Sequence, residues 1–218
     1  MNVGINAVKR NPLELVGGFF IVTLLGLLPG QVPNVLQLVG VVSQNSPLYW
    51  VLFGISTLVG AAVGAFFWVG EVRVALAAAR GEPFDFGLFF SGADRAVPLL
   101  ITNFLVSIAV ALGLVLLIVP GIVLALGLAF GTVLVVDAEE SPVEALKASW
   151  EATQGHKMQL FLFGLTALLV LIAGMCACYV GVFVAIPVLF VAFVDVYRRV
   201  TGRMGASSDA ATAAPFGY

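Results

Sequence analysis

Charge is what this sequence has least of. Its 10 Lys and Arg and 12 Asp and Glu make up 10% of 218 residues, against about 25% in ordinary soluble domains. It has one histidine and two cysteines, too few for a disulfide scaffold, and no cluster with the three or four ligands of a zinc site. The acids and bases nearly balance at a net charge of −2, which leaves no basic footprint for a nucleic acid. In place of charge, 61% of the residues are apolar. A water-soluble particle of this composition would expose apolar patches far beyond the few hundred Å² that soluble monomers tolerate, and a disordered chain requires low hydrophobicity. The chain therefore reads as an all-α, polytopic integral membrane protein.

The few charges are also unevenly placed. Residues 15–70, 96–136 and 158–194 contain no Asp, Glu, Lys or Arg. At 56, 41 and 37 residues, each interval holds two crossings, because one helix needs about 20 residues for about 30 Å of hydrocarbon. Six spans are expected, at 13–28, 48–70, 97–119, 122–136, 158–177 and 182–197. Pro29, Gly30 and Pro33 should end the first, leaving a connection over 29–47 with a short surface helix at 35–42. Pro120 and Gly121 mark the turn between the third and fourth. Pro187 removes a backbone donor inside the sixth and predicts a kink. Although Lys9 and Arg10 precede the first apolar stretch, no small-x-small cleavage site follows Leu28, so it reads as a span and not a secretion signal.

All the basic residues fall on one side of this topology. Lys9, Arg10, Arg73, Arg80, Arg95, Lys147, Lys157, Arg198, Arg199 and Arg203 share a compartment with both termini, so the positive-inside rule places the termini in the cytoplasm and the protein in the plasma (inner) membrane. The transmembrane domain covers 1–204; the Ala, Ser, Thr and Pro-rich tail 205–218 is expected to be disordered.

Each pair of spans leads into a less apolar cytoplasmic stretch, giving three hairpins with collars. Residues 71–80 form one collar. In 142–154 the residues Val143, Leu146, Trp150 and Thr153 recur at helical period opposite Glu144, Lys147 and Glu151, an amphipathic helix opened by a capping-box pattern at Ser141 and Glu144 with Pro142 at its first position. Phe84, Phe86, Leu88, Phe89 and Phe90 predict a short helix wedged into the headgroups. Tyr49, Trp50, Trp68 and Tyr179 fit interfacial anchors. Gly60 with Gly64, and Gly127 with Gly131, form small-xxx-small ridges that could dock on each other within the bundle or between copies in a homo-oligomer.

Chemistry is sparse. No base accompanies a Ser or Thr within the spans, and none of the strongly ionisable residues sits at the midplane, so neither a catalytic site nor an ion-coupling relay is expected. Catalytic, cofactor-binding and metal residues are all expected to be none. Asn103 is the polar side chain to watch, as a helix-helix hydrogen bond or part of a solute path. Cys176 and Cys178, two apart on a helix, point away from each other and should not bond. Asp137, Asp195 and Glu71 end or follow spans and are expected to pair with Arg73, Arg80, Arg198 or Arg199. The basic surplus at Arg198, Arg199 and Arg203 should attract anionic headgroups.

Leu117-Ile118-Val119-Pro120-Gly121-Ile122, then Glu144-Ala145-Leu146 with Ser149, Gln154-Gly155, Pro187 and Tyr197-Arg198 form an ordered pattern. It resembles the broad group of six-span bacterial and archaeal membrane proteins that includes the membrane domain fused to some glycerophosphodiester phosphodiesterases. The resemblance spans about residues 13–202 and implies a helical membrane module. Phosphodiesterase activity does not carry over, because the acids, histidines and metal of the fused domain have no counterpart in this chain. The expected function is non-enzymatic: a scaffold or regulatory subunit of a membrane assembly, or a lipid-organising module. The alternative is a channel or passive transporter using Asn103 and the bend at Pro187.

Overall fold

The computed structural model describes residues 13–176 and 180–202. The expectations for Lys9, Arg10, Cys178, Tyr179, Arg203 and the tail 205–218 lie outside the described residues. After a π-helical turn at Leu13–Gly17, the chain forms α1 (Gly18–Leu38), α2 (Pro47–Arg80), a 3-10 helix (Phe86–Phe90), α3 (Ala96–Leu116), α4 (Ile118–Gly127), α5 (Gly131–Asp137), α6 (Pro142–Thr153), α7 (Lys157–Cys176) and α8 (Val180–Val200). Among the described residues, six helical segments are long and apolar enough to cross a membrane, with α4 and α5 together supplying the fourth. The chain is a polytopic helical membrane protein.

Three expected boundaries are corrected. Helix α1 does not end at Leu28 but runs through Pro29 and Pro33 to Leu38, so the surface helix expected at 35–42 is in part the outer end of the span. A proline removes one donor and strains one turn, and packing along α2 holds the helix together across both. Likewise 71–80 is no separate collar. Ser46 caps the start of α2 by accepting from Leu48 N–H, and the helix continues for 34 residues to Gly81, whose φ of 74° ends it in the left-handed region. At 1.5 Å per residue α2 is about 51 Å long, well beyond the hydrocarbon thickness of about 30 Å, so its last three turns project from the apolar slab. Finally, the turn between α3 and α4 is not at Pro120 and Gly121. Leu117 alone is extended (φ −165°, ψ 152°), and Pro120 sits in the first turn of α4, where a missing N–H deprives no intrahelical acceptor. Gly121 is needed for another reason: a Cβ there would lie 2.8 Å from the Leu114 nitrogen.

Helix α1 lies along α2, α3 along α4, and α7 along α8, and α2 also packs on α8, α3 and the 3-10 helix. Gly60 and Gly64 face α1, not the fourth span: a Cβ on Gly60 would lie 3.6 Å from the Gly30 nitrogen, and one on Gly26 3.8 Å from Gly64 Cα. Their ridge is thus intramolecular. The core concentrates toward the charged end, where Val69, Val72, Val74, Phe89, Phe130, Val133, Val135 and Tyr197 are fully or almost fully buried. The stretch 114–118 at the opposite end of α3 is the reverse, an apolar and exposed tip that suits lipid contact.

The 3-10 helix forms within the expected segment, but its aromatic residues divide between two environments. Phe86 and Phe90 are exposed, but Phe89 is wholly buried, edge-on to Phe19 at 5.5 Å, with its backbone against Gly70. Phe89 thus anchors the segment to α2 and α1, while Phe86 and Phe90 are left facing outward. Tyr49 is also buried, donating to Asn34 Oδ1 at 3.1 Å, while Trp50 faces outward.

Candidate functional site

Three features of this bundle combine polar chemistry with unusual geometry. The first is a break in the fourth span, which was expected to be continuous over 122–136. Residues 128–130 form a turn between α4 and α5. In an unbroken helix Gly131 N–H would donate to Gly127; it donates to Leu128 O at 3.1 Å instead, freeing the Gly127 carbonyl and the Phe130 N–H. Helix α6 supplies both missing partners. Ser149 Oγ accepts from Phe130 N–H at 3.1 Å and donates to Gly127 O at 2.9 Å, and Thr153 Oγ1 donates to the same carbonyl at 3.2 Å. Such compensation is how non-helical backbone is tolerated at membrane depth.

This dock corrects two expectations. The Gly127 and Gly131 ridge meets α6 first: a Cβ on Gly127 would collide with the Trp150 ring, and one on Gly131 would lie 2.7 Å from Leu146 Cδ2 and 3.6 Å from Thr102 Cγ2 on α3. The buried stripe of α6 is rotated from 143, 146, 150 and 153. Ala145, Ser149 and Thr153 are wholly buried and Val143 is exposed, because close approach to a broken helix selects small and hydroxyl side chains. Lys157 Nζ lies 3.5 Å from the ring centroid of the same Trp150.

The second feature is a network of ion pairs at the charged end. Asp137 closes α5 with its carboxylate buried, accepting from Arg80 Nη2 at 2.6 Å and from the Tyr197 hydroxyl at 2.8 Å, and so ties α5 to α2 and α8. Arg198 is buried and donates to Ala79 O at 2.8 Å, and Arg199 pairs with Asp195 one turn back at 2.9 Å. Arg95 holds Glu139 at 2.7 Å. Arg73 donates to Ser91 O and to Asp94 Oδ2, the latter at 2.6 Å. That hydrogen bond from Arg73 holds the Asp94 carboxyl below the usual carboxylate range, which keeps the pair ionised into mild acid. Asp137 and Asp195 thus find arginines as expected, whereas Glu71 does not. Of the residues expected to attract anionic headgroups, Arg198 is buried against α2 while Arg199 stays exposed beside Asp195. Asn103 is half-buried on α3 and makes no side-chain hydrogen bond among the described residues, so the expected interhelical bond is not formed.

The network predicts a coupling. Truncating one partner of a desolvated pair costs several kcal/mol, less where one side keeps water contact as Arg80 does. Asp137→Ala should lower stability in detergent by about 2–3 kcal/mol and Tyr197→Phe by about 1 kcal/mol. In a double-mutant cycle Arg80→Ala with Asp137→Ala should fall short of the sum by about 1 kcal/mol or more; strict additivity would mean that the pair contributes nothing.

The third feature is a cleft beside α1. A groove of about 380 Å³ between α1 and α8 is lined by Phe20, Leu24, Leu27, Phe183, Ile186 and Pro187 among others. Phe20 and Phe183 meet edge-on across it at 5.0 Å. Pro187, inside α8, leaves the carbonyl of Phe183 without its helical donor, so the helix ladder is interrupted at the groove wall. A second compartment of about 340 Å³ lies between α1 and α2, reaching from Gly26, Gly60 and Gly64 to Trp68 and Glu71. Thr23 and Leu27 line both, so the two adjoin along one face of α1. Glu71 Oε1 accepts from Thr23 Oγ1 at 3.5 Å. Among the described residues, no group of three or more His, Cys, Asp or Glu could hold a metal ion.

The signals for these features were faint in the sequence. Ser149 and Thr153 sit at i and i+4 of an amphipathic helix, and no proline marks the break they serve. The Glu71 cleft is lined by one glycine of α1, Gly26, and by Gly60 and Gly64 on α2.

Comparison with known proteins adds no activity. The chain is 28% identical over 124 residues to an uncharacterised protein of Mycobacterium tuberculosis strain H37Rv and equally to an uncharacterised protein of Mycobacterium bovis. The match covers 57% of this chain and 38% of each relative, so it spans well under half the length of the curated relatives. No family model matches the sequence, and no solved structure matches it.

Proposed function

We propose that this chain is a non-enzymatic, lipid-organising module of the plasma (inner) membrane, with three helical hairpins, its charged end and both termini in the cytoplasm, and an acyl chain held in the groove between α1 and α8. The observation that carries this reading is the groove itself. It is apolar and open to the side, its volume falls in the range of roughly 300–1,000 Å³ typical of small-molecule sites, and rings from both helices flank it. The likeness of 117–122, 144–149, 154–155, Pro187 and Tyr197-Arg198 to the six-span membrane group is in keeping with a membrane module without its own hydrolytic chemistry. A scaffold acting through α6 is less favoured, since the apolar face of α6 is occupied by the broken span.

Lipid content measured by native mass spectrometry after purification in mild detergent tests the proposal. The wild-type protein should retain about one lipid per chain. Leu24→Trp combined with Ile186→Phe should fill the groove and release most of it, while Phe104→Trp on the exposed face of α3 should not. Equal lipid retention by the filled and wild-type proteins would overturn the reading.

A further inference from the structure

The geometry points to a headgroup site beside that groove: Glu71, Trp68 and Thr23 form a receptor for the ammonium group of a membrane aminophospholipid whose chain lies along α1. This inference rests on the lipid-organising reading and adds the chemistry of the head.

Glu71 is set apart by its surroundings. Four acids at the charged end face arginines: Asp94 meets Arg73, Asp137 meets Arg80, Glu139 meets Arg95 and Asp195 meets Arg199. Glu71 forms no ion pair among the described residues, and its one hydrogen bond there is the long one from Thr23. It stands half-buried at the end of a compartment otherwise walled by glycine, valine, leucine and aromatic side chains. A carboxylate in such a setting calls for a cation or several donors. An ammonium group provides both, with three N–H donors and a full positive charge.

Trp68 lies one turn from Glu71 and lines the same compartment. Its ring is fixed edge-on to Phe190 at 5.7 Å and is partly exposed. An indole beside a carboxylate is a recurrent ammonium receptor because the ring face carries negative quadrupole density. The depth also suits a lipid head. Gly70 packs on the 3-10 helix, whose Phe86 and Phe90 are exposed at the charged end, so Glu71 sits at the level where the chain emerges from the apolar slab. From there Thr23 and Leu27 lead directly into the groove toward Phe183. Head and chain sites are therefore continuous along α1.

The test offers the full-length protein in detergent equimolar phosphatidylethanolamine and phosphatidylglycerol with the same acyl chains, and reads both total retained lipid and the ratio of the two. Wild type should favour phosphatidylethanolamine by at least about fivefold. Glu71→Gln should bring the ratio near one with total lipid unchanged, Glu71→Asp should keep part of the preference, and Trp68→Leu should reduce it by about half or more. A ratio that is the same in wild type and Glu71→Gln overturns the headgroup site, as does a wild-type preference for phosphatidylglycerol; Glu71 would then be satisfied by water or by the chain's own basic residues. Loss of total lipid binding in wild type defeats the lipid-organising reading instead, so the two failures are distinct. A melting profile in the same detergent identifies any variant that does not fold, and Glu71→Asp and Trp68→Leu provide independent readouts if Glu71→Gln is one of them.

Discussion

Replacing Ser149 by alanine should destabilise the protein by about 2–3 kcal/mol, a large effect for the loss of one oxygen atom. The hydroxyl accepts from Phe130 N–H and donates to Gly127 O, and it is wholly buried. Its removal leaves the amide without a partner in an apolar site, which costs roughly 1–3 kcal/mol for each group left unpaired. Thr153 still donates to the carbonyl, so the single variant orphans chiefly the amide. Ser149→Ala with Thr153→Val orphans both groups and should cost about 3–5 kcal/mol. Unfolding by a graded denaturing detergent gives the measurement. A loss within about 0.5 kcal/mol for Ser149→Ala would show that the break is satisfied without α6.

Gly92→Ala is the second variant with a large expected effect. A Cβ at this position would strike the carbonyl oxygen of Phe66, and one at Gly70 would strike the carbonyl of Phe89. Both obstacles are backbone, one of them in the middle of α2, so no side chain can rotate away. Overpacking against movable side chains costs about 1–3 kcal/mol, and these positions should reach the upper end or beyond, at about 3 kcal/mol or more. Gly164 and Gly54 lie in helices where an added methyl group would meet nothing within 4 Å. Alanine there should be neutral or stabilising by up to about 1 kcal/mol, because glycine is a poor helix former. A similar melting temperature for Gly92→Ala and Gly164→Ala would contradict the close approach of the 3-10 segment to α2.

The two effects mark where sequence reading stopped. Helix punctuation by proline misled twice: Pro29 and Pro33 lie inside α1, and Pro120 sits just within α4 instead of at the turn. In each case the cost of one missing donor is local, whereas the contacts that hold the helix run along its whole length. The opposite error occurred at residues 128–130, where a helix breaks with no proline, because hydroxyls 19 to 26 residues away replace the lost partners. Periodicity found α6 and its capping residues but placed its buried face one position off, since a face packed against exposed backbone prefers Ala, Ser and Thr over Val. The acids were correctly marked as candidates for specific contact, yet which of them would meet an arginine was not legible. Asp137 and Arg80 are separated by 57 residues, and their pairing follows from how α2, α5 and α8 converge.

Six apolar spans and the asymmetry of charge between the two ends followed from composition and spacing alone, because transfer into lipid depends on the residues within one segment and hardly on their neighbours. The dock of α6 on the broken span, the choice of ion-pair partners and the cleft that joins Glu71 to an apolar groove came from the folded chain. Each is made by residues from two or three helices, and the energies that select such contacts exist only once backbones approach closely enough to exclude water or lipid between them.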